Sequence, residues 1–573
     1  MQVTQPGNFS FLVEHSPLLA QLGHTAEQVF ASDPNTTLIK LRQLGEALAQ
    51  DLAARSGVEF NTDTKQADLL FKLQREMQLD PEIGRLFHTL RVEGNKATHR
   101  FHTRHKDAMD GLKVARSLAI WYHQSVGKHG ASFKPGPFLA PQDPSTQLRT
   151  LQAQIEQLKA DLGSTTQALE SNQQLAAMVE KEREDYAVLA LQMDAEARSF
   201  EALAREHEAQ FNRAQQDFDA QLKAVQQQLS SQQTRQLMTR TQQASRAFSP
   251  NEELTRILID QQLIEAGWAA DTQDLTYAKG ARAEKGKNKA IAEWPTNGNQ
   301  AADYVLFAGL TPIAVVEAKR ENLNVAGKIT QAQRYARGFN IDATHKPAWL
   351  LAGQSKPWDD GEGGRFMVPF VYSCNGRPYL KQLAEQSGTW FRDARSPANL
   401  ARSLMAFHSP DGLLDLLTRS KEAATAKLQQ EGFAYLGLRD YQQKAIHAVE
   451  GALAEGQQQC LLAMATGTGK TRTIVGLMYR FLKAERFRRI LFLVDRTALG
   501  DQATDVFNEA QLEQNLPLSK LYNIAELGDM AAEAETRIQV ATVQAMVKRI
   551  FQSDHPPGVD EFDCIIVDEA HRG

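Results

Sequence analysis

Met464-Ala-Thr-Gly-Thr-Gly-Lys470-Thr471 is a phosphate-binding loop, and Asp568-Glu569-Ala570-His571 is the acidic partner such a loop needs. A Gly-rich turn lets backbone N–H groups approach phosphates, a lysine reaches the β and γ oxygens, and a hydroxyl ligates Mg2+. Gly467, Thr468, Gly469, Lys470 and Thr471 are therefore the candidate ATP-binding residues. Thr471 and Asp568 are the candidate Mg2+ ligands there, and Glu569 orients and activates water. Met464 stands where the strict pattern has glycine, so the match is to its looser form. Working outward, Gln459 to Met464 reads as a short buried strand entering the loop, and Thr471 to Leu482 as an apolar-periodic helix leaving it. Ile490 to Val494, Ile538 to Ala541 and Cys564 to Val567 read as three more buried strands separated by helical stretches. That is the pattern of a doubly wound parallel sheet. Asp568 then falls at the C-terminal end of a strand, where such sheets place ligands. Upstream, Leu438-Arg-Asp-Tyr-Gln442 offers Gln442 as the reader of adenine.

A chain of 573 residues is too long for one core, and roughly three to five domains are expected. Lysine and arginine number 64 against 69 aspartates and glutamates, a net charge of −5. Net charge gives no support for nucleic-acid binding, though a local basic face is compatible with it. Cys374, Cys460 and Cys564 lie far apart without zinc spacing, and the last two fall in the apparent buried strands. They read as reduced core residues of a cytoplasmic protein. No apolar run approaches membrane-spanning length, so no membrane partner is expected.

Phe9 to Lys134 is helical in period, giving an N-terminal helical domain over 1–134, and Pro135 to Pro144 is a linker. Leu148, Leu151, Ile155, Leu158 and Leu162 then alternate spacings of three and four, and the register runs on through Phe211 and Phe218 to Leu222 and Leu229. This is a coiled-coil region over 145–240, either a dimer or an intramolecular hairpin. Ser249-Pro250-Asn251-Glu252-Glu253 opens a mixed domain over 245–395. A helical bridge over 396–436 leads to the ATP-binding domain over 437–573.

Within the mixed domain, Asp303 to Phe307 and Ile313 to Lys319 read as two strands of a hairpin. Alternation puts Glu317 and Lys319 on one face, and a hairpin symmetric about Leu310 sets Asp303 opposite Glu317. Both carboxylates then share a Mg2+ ion, and Lys319 steadies the attacking water or the developing charge. Gln331 and Tyr335, four apart on a helix, share a face beside them, and Glu252 is in reach from the opening helix.

These motifs together resemble the restriction (R) subunits of type I restriction-modification enzymes, and the likeness spans nearly the whole chain. The resemblance implies a multidomain α/β protein: helical N-terminal domain, coiled-coil region, PD-(D/E)xK-type nuclease domain and RecA-like P-loop ATPase domain of the superfamily 2 translocase type. It assigns catalysis to Asp303, Glu317 and Lys319, accessory roles to Gln331 and Tyr335, and adenine recognition to Gln442. It also implies double-stranded DNA as substrate, and a DNA specificity subunit and a methyltransferase subunit as partners. The alternatives are an interaction fragment with idle sites and a helicase-nuclease of another defence or repair system. Arg91-Val-Glu-Gly-Asn95-Lys-Ala-Thr-His99 has a faint likeness to the motif of helical HEPN-type ribonucleases, with Gly94 where that motif has arginine. Polar packing or docking is the preferred reading there. Because the sequence stops at Gly573, this reading expects a shortened motor without its second RecA-like domain, weak in ATP binding and unresponsive to DNA, with an unpaired edge at its last strand.

Overall fold

The computed structural model describes the chain apart from residues 1–6, 62, 100–102, 142–208, 320–323, 466, 496–504, 506, 509–511, 513–515, 526–534, 554, 555 and 571–573. It divides into two units, Met1–Pro250 and Asn251–Gly573.

The first unit is helical, and local chemistry sets its helix ends. Ser16 caps α1 (Pro17–Val29), and Asp33 caps α2 (Pro34–Ser56) by accepting the Thr36 amide at 3.0 Å. Both helices carry proline at the first position, where no N–H partner is needed. After α3 (Gln66–Glu76), α4 (Pro81–His99) crosses α2 so closely that a Cβ on Gly94 would sit 2.4 Å from the Arg42 Cβ. That contact explains the glycine in the ribonuclease-like stretch. Arg42 bonds Asn95 across the helix pair at 3.3 Å, and buried Arg91 meets His88 within α4 at 3.3 Å. The last long helix of this bundle, α5 (His105–Val126), buries Leu112, Leu118, Trp121 and Tyr122.

Most of the coiled-coil stretch lies outside the described residues. Its described end, helix α6 over 209–227 and helix α7 (Ser231–Ala247), packs on the bundle of its own chain. Phe218 and Leu222 are buried, Gln221 donates to the His15 carbonyl at 3.0 Å, and Trp121 donates to Ser245 at 3.1 Å.

The second unit begins with α8 (Glu252–Glu265), capped by Asn251. Strands β1 (Ala269–Ala270), β2 (Asn288–Thr296), β3 (Gln300–Ala308) and β4 (Thr311–Ala318) follow, then α9 (Val325–Arg337). A small ribbon of β5 (Trp358–Asp359) and β6 (Arg365–Phe366) precedes β7 (Phe370–Cys374), β8 (Thr389–Asp393) and β9 (Arg402–Leu404). The main sheet runs β1-β2-β3-β4-β7-β8-β9, with β4 and β7 parallel. Period-two alternation splits its core. Tyr304, Val316 and Tyr372 face the layer of α8 residues Ile259 and Leu263, while Val305 and Val315 face Ile329 and Tyr335 of α9. The β3–β4 register pairs Tyr304 with Val316, as symmetry about Leu310 requires, and then shifts at Leu306/Phe307. The shift fits a two-residue turn at Gly309-Leu310, where only Gly309 takes a positive φ (62°).

Beyond β9, helices α10 (Pro410–Thr418) and α11 (Lys421–Gln430) lead to α12 (Asp440–Ala454) and α13 (Lys470–Lys483). The stretch expected to be a helical bridge therefore also holds strand β9. A parallel sheet of order β11-β12-β10-β13 follows, built from β10 (Ile490–Val494), β11 (Ile524–Ala525), β12 (Ile538–Thr542) and β13 (Cys564–Val567), with α14 (Val543–Gln552) after β12. Three expected strands are thus present. The fourth is not: Gln459 to Met464 forms no strand, Leu461 is 86% exposed, and Cys460 is exposed rather than a core residue. A strand exists through its ladder, and no described strand pairs with this apolar run. Behind α13, fully buried Arg480 pairs with Glu450 at 2.7 Å, donates to the carbonyls of Leu428, Glu431 and Gly432, and stacks on Phe433. Among the described residues no helix is long and apolar enough to cross a membrane.

Candidate active sites

Asp303 lies near the start of β3 and Glu317 near the end of β4, one step past the Tyr304–Val316 pair, so both carboxylates leave the same face of the sheet. The Asp303 carboxylate accepts the Ala318 amide at 2.8 Å, and the Lys319 ammonium contacts Glu317. Over that face, Gln331 donates to the Tyr335 hydroxyl at 2.7 Å, and Tyr335 is close enough to Lys319 to act on its charge. All five expected residues of this site thus gather at one end of one hairpin. Arg256 of α8, which the sequence reading passed over, stands 3.6 Å from Asp303 and 3.7 Å from Glu252. Its only sequence signal was its i+4 spacing from Glu252 on a helix that opens the domain. Glu252 reaches the cluster through it.

The electrostatics suit a cation. Burial and then the neighbouring Asp303 carboxylate push Glu317 up to about 7, and burial also raises Asp303. For Lys319, burial works to lower its pKa, and the hydrogen bond and charge of Glu317 outweigh it. Two like charges facing each other are the arrangement a divalent ion relieves. Among the described residues no group of three or more His, Cys, Asp or Glu side chains could hold a metal. Asp303 and Glu317 would thus supply two oxygens of a Mg2+ shell that water or phosphate completes, which that ion tolerates.

A pH dependence follows. Glu317 holds a proton in the folded chain at pH values where the unfolded chain has lost it. Its contribution to stability is therefore fully present below about 4.5 and is lost as pH rises through about 7. Mg2+ must displace that proton, so its affinity is expected to climb with pH and level off above about 7. Calorimetric titrations across that range check the trend, and a flat profile contradicts it. Replacing Arg256 with alanine removes a charge that favours ionised Asp303, and is expected to move the whole profile to higher pH.

In the candidate phosphate-binding loop, Gly467 and Gly469 have φ of 80° and 76°, the left-handed region that glycine occupies without strain. Gly469 is the N-cap of α13, so Lys470 and Thr471 open the first helical turn, whose amides have no acceptor within the helix. A Cβ on Gly469 would also lie 2.7 Å from the Gln442 amide nitrogen. That amide donates to the Thr468 and Gly469 carbonyls at 3.1 Å each, and the Tyr441 hydroxyl donates to Thr468 at 2.9 Å. Gln442 thus braces the loop, a role its sequence position did not announce. Asp568 follows β13, its amide donating to Leu493 at 2.9 Å and its carboxylate accepting the Glu569 amide at 3.0 Å. Lys470 reaches across to Glu569 at 3.0 Å. The lysine and the acidic motif, 99 positions apart, share one cleft.

Three family models match the chain. Residues 269–417 match the second domain of the type I restriction enzyme EcoKI endonuclease subunit, and 435–573 match the type III restriction enzyme res subunit. Residues 24–123 match a domain of unknown function, DUF4145. The EcoKI endonuclease subunit of Escherichia coli strain K12 is 38% identical over 99% of this chain and 49% of its own length. The EcoAI endonuclease subunit of Escherichia coli is 28% identical over 54% of this chain and 34% of its own length. The SsaAORF53P endonuclease subunit of Staphylococcus saprophyticus is 26% identical over 47% and 27%. No solved structure matches. The chain spans about half the length, or less, of the curated relatives it matches. With 99% of its length matched to one such subunit and its middle segment matched to that subunit's second domain, the chain belongs to the family of type I restriction-enzyme endonuclease subunits.

Proposed function

We propose that this chain carries the nuclease and the first motor domain of a cytoplasmic type I restriction subunit, which couples ATP-dependent translocation of double-stranded DNA to Mg2+-dependent cleavage of unmodified foreign DNA. In this reading 1–134 is a helical domain, 145–240 a coiled-coil region, 245–395 a PD-(D/E)xK-type nuclease, 396–436 a bridge and 437–573 a RecA-like ATPase domain. A DNA specificity subunit chooses the target, and a methyltransferase subunit marks the host's own copies. The observation that carries the reading is the convergence of Asp303, Glu317 and Lys319 at one end of a hairpin, in the same unit as a phosphate loop facing an acidic motif.

In the nuclease, Asp303 and Glu317 would hold Mg2+, which polarises the scissile phosphate and lowers the pKa of water. Lys319 lies beside Glu317 and meets the charge that develops on the phosphorane oxygens. Gln331 and Tyr335 fix the orientation of the lysine side of the cleft through their mutual hydrogen bond. In the motor, Lys470 and the amides of the first α13 turn bind the phosphates, Thr471 and Asp568 would hold Mg2+, and Glu569 orients the attacking water.

The test is reconstitution of the subunit, its motor completed by a second RecA-like domain, with the specificity and methyltransferase partners on unmodified and fully modified plasmid. Cleavage confined to unmodified DNA and dependent on both ATP and Mg2+ is expected. Cleavage that persists without ATP, or that ignores modification, counts against it.

A further inference from the structure

One short helix joins the two candidate sites, and residues of the motor hold it at both ends. Helix α10 belongs to the nuclease side by packing: Leu413 and Leu417 are buried in the core that contains Ala314, Val316 and Tyr372. Its ends belong to the motor side. At the N-terminus, the Asp560 carboxylate accepts the Ser409 amide at 2.7 Å and the Ser409 hydroxyl at 2.6 Å, and that hydroxyl in turn caps Gly412 at 3.0 Å. At the C-terminus, Arg419 pairs with Asp563, whose two oxygens also accept the amides of Arg488 and Arg489 at 2.7 and 2.9 Å.

The fit at the first end is closed to any side chain. A Cβ on Gly412 would stand 1.5 Å from an Asp560 carboxylate oxygen. Beside Ser409, the His408 ring bonds the Tyr372 hydroxyl at 2.6 Å, and Tyr372 of β7 is the register partner of Val316, the neighbour of Glu317. On the other side, Asp563 immediately precedes β13, and Asp568 and Glu569 immediately follow it. Contacts are therefore continuous from the Lys470–Glu569 pair, through a four-residue strand and one helix, to the carboxylate end of β4.

We propose that Asp560 and Asp563 are positioning residues that carry the nucleotide-dependent setting of β13 into the sheet that bears Glu317, with α10 as the connecting rod. Phosphate binding draws Lys470 off Glu569, and the end of β13 moves. The double clamp passes that displacement to Leu413 and Leu417, and so to β4 and β7. A clamp at one end alone would let the helix pivot; two clamps make it translate. This inference rests on the ATP-site reading above.

The test uses the full chain, hydrogen exchange followed by mass spectrometry, and a fluorescent non-hydrolysable ATP analogue whose binding is read directly. In the wild type, saturating analogue with Mg2+ is expected to change exchange in 410–418 and 370–374 by about threefold or more. Gly412→Ala keeps both aspartates and favours the helix, yet expels Asp560, and the response in those segments should vanish while the analogue still binds. The Asp560→Ala/Asp563→Ala double variant should behave the same way. Analogue binding with no response in wild-type 410–418, or a response that survives in Gly412→Ala, overturns the proposal. Failure of the analogue to bind overturns the ATP-site reading, and this inference with it.

Discussion

Glu317→Ala and Asp303→Ala are each expected to lower Mg2+-dependent cleavage of duplex DNA at least about 100-fold while leaving ATP hydrolysis in the reconstituted enzyme unchanged. The two carboxylates leave one sheet face beside each other, with Lys319 against Glu317 and Arg256 3.6 Å from Asp303. Each would supply one of the two protein oxygens in the proposed Mg2+ shell, since among the described residues no group of three or more His, Cys, Asp or Glu side chains could hold the ion. The motor's acidic residues sit on a different sheet, at the end of β13. Lys319→Ala should follow the same pattern, with near-normal metal binding, because its part is in the transition state rather than in the ion's seat. Plasmid linearisation measured beside phosphate release separates the two activities. Parallel loss of both in Glu317→Ala would show that the substitution breaks the fold rather than the site.

Lys470→Ala should weaken ATP binding by about 10- to 100-fold, the value of one or two charge-assisted hydrogen bonds to phosphate. The companion substitution Glu569→Gln should have the opposite effect on binding. It removes the anion that occupies the lysine at 3.0 Å, so the nucleotide binds at least as tightly while hydrolysis falls for want of the group that orients water. Calorimetry with a non-hydrolysable analogue measures both variants. If Lys470→Ala binds like the wild type, the loop is not the phosphate seat.

The strands β10 and β12 were legible because a central parallel strand is apolar on both faces, and such runs stand out in any sequence; β13 was legible by its apolar run, although it ends the described sheet order with Ile565 and Val567 exposed rather than buried. The carboxylate pair was legible for a related reason: hairpin symmetry and period-two alternation fix which residues face each other. Only the turn departed by a residue, where Gly309 accepts a positive φ and closes the loop in two. Gln459 to Met464 misled because its apolar content is a property of the segment, whereas strandhood is a relation to neighbours. Arg256 and Asp560 were invisible for that same reason. Their partners Asp303 and Ser409 lie 47 and 151 positions away, and no local pattern marks a residue whose meaning is supplied by another element. Gln442 lies beside the loop, its amide turned toward the loop backbone, a contact that sequence alone does not mark.

The ion pair between Lys470 and Glu569 also bears on which anions the loop is expected to admit. A lysine already answered by a carboxylate is a poor lure for any stray anion, because the newcomer must outbid a partner tethered a few ångströms away. Inorganic phosphate, or a lone acidic side chain from a neighbouring protein, offers little more charge than Glu569 already gives. A triphosphate brings several oxygens and its own divalent ion, and so wins the exchange. The Lys470–Glu569 pair thus favours a multivalent anion over a single charge.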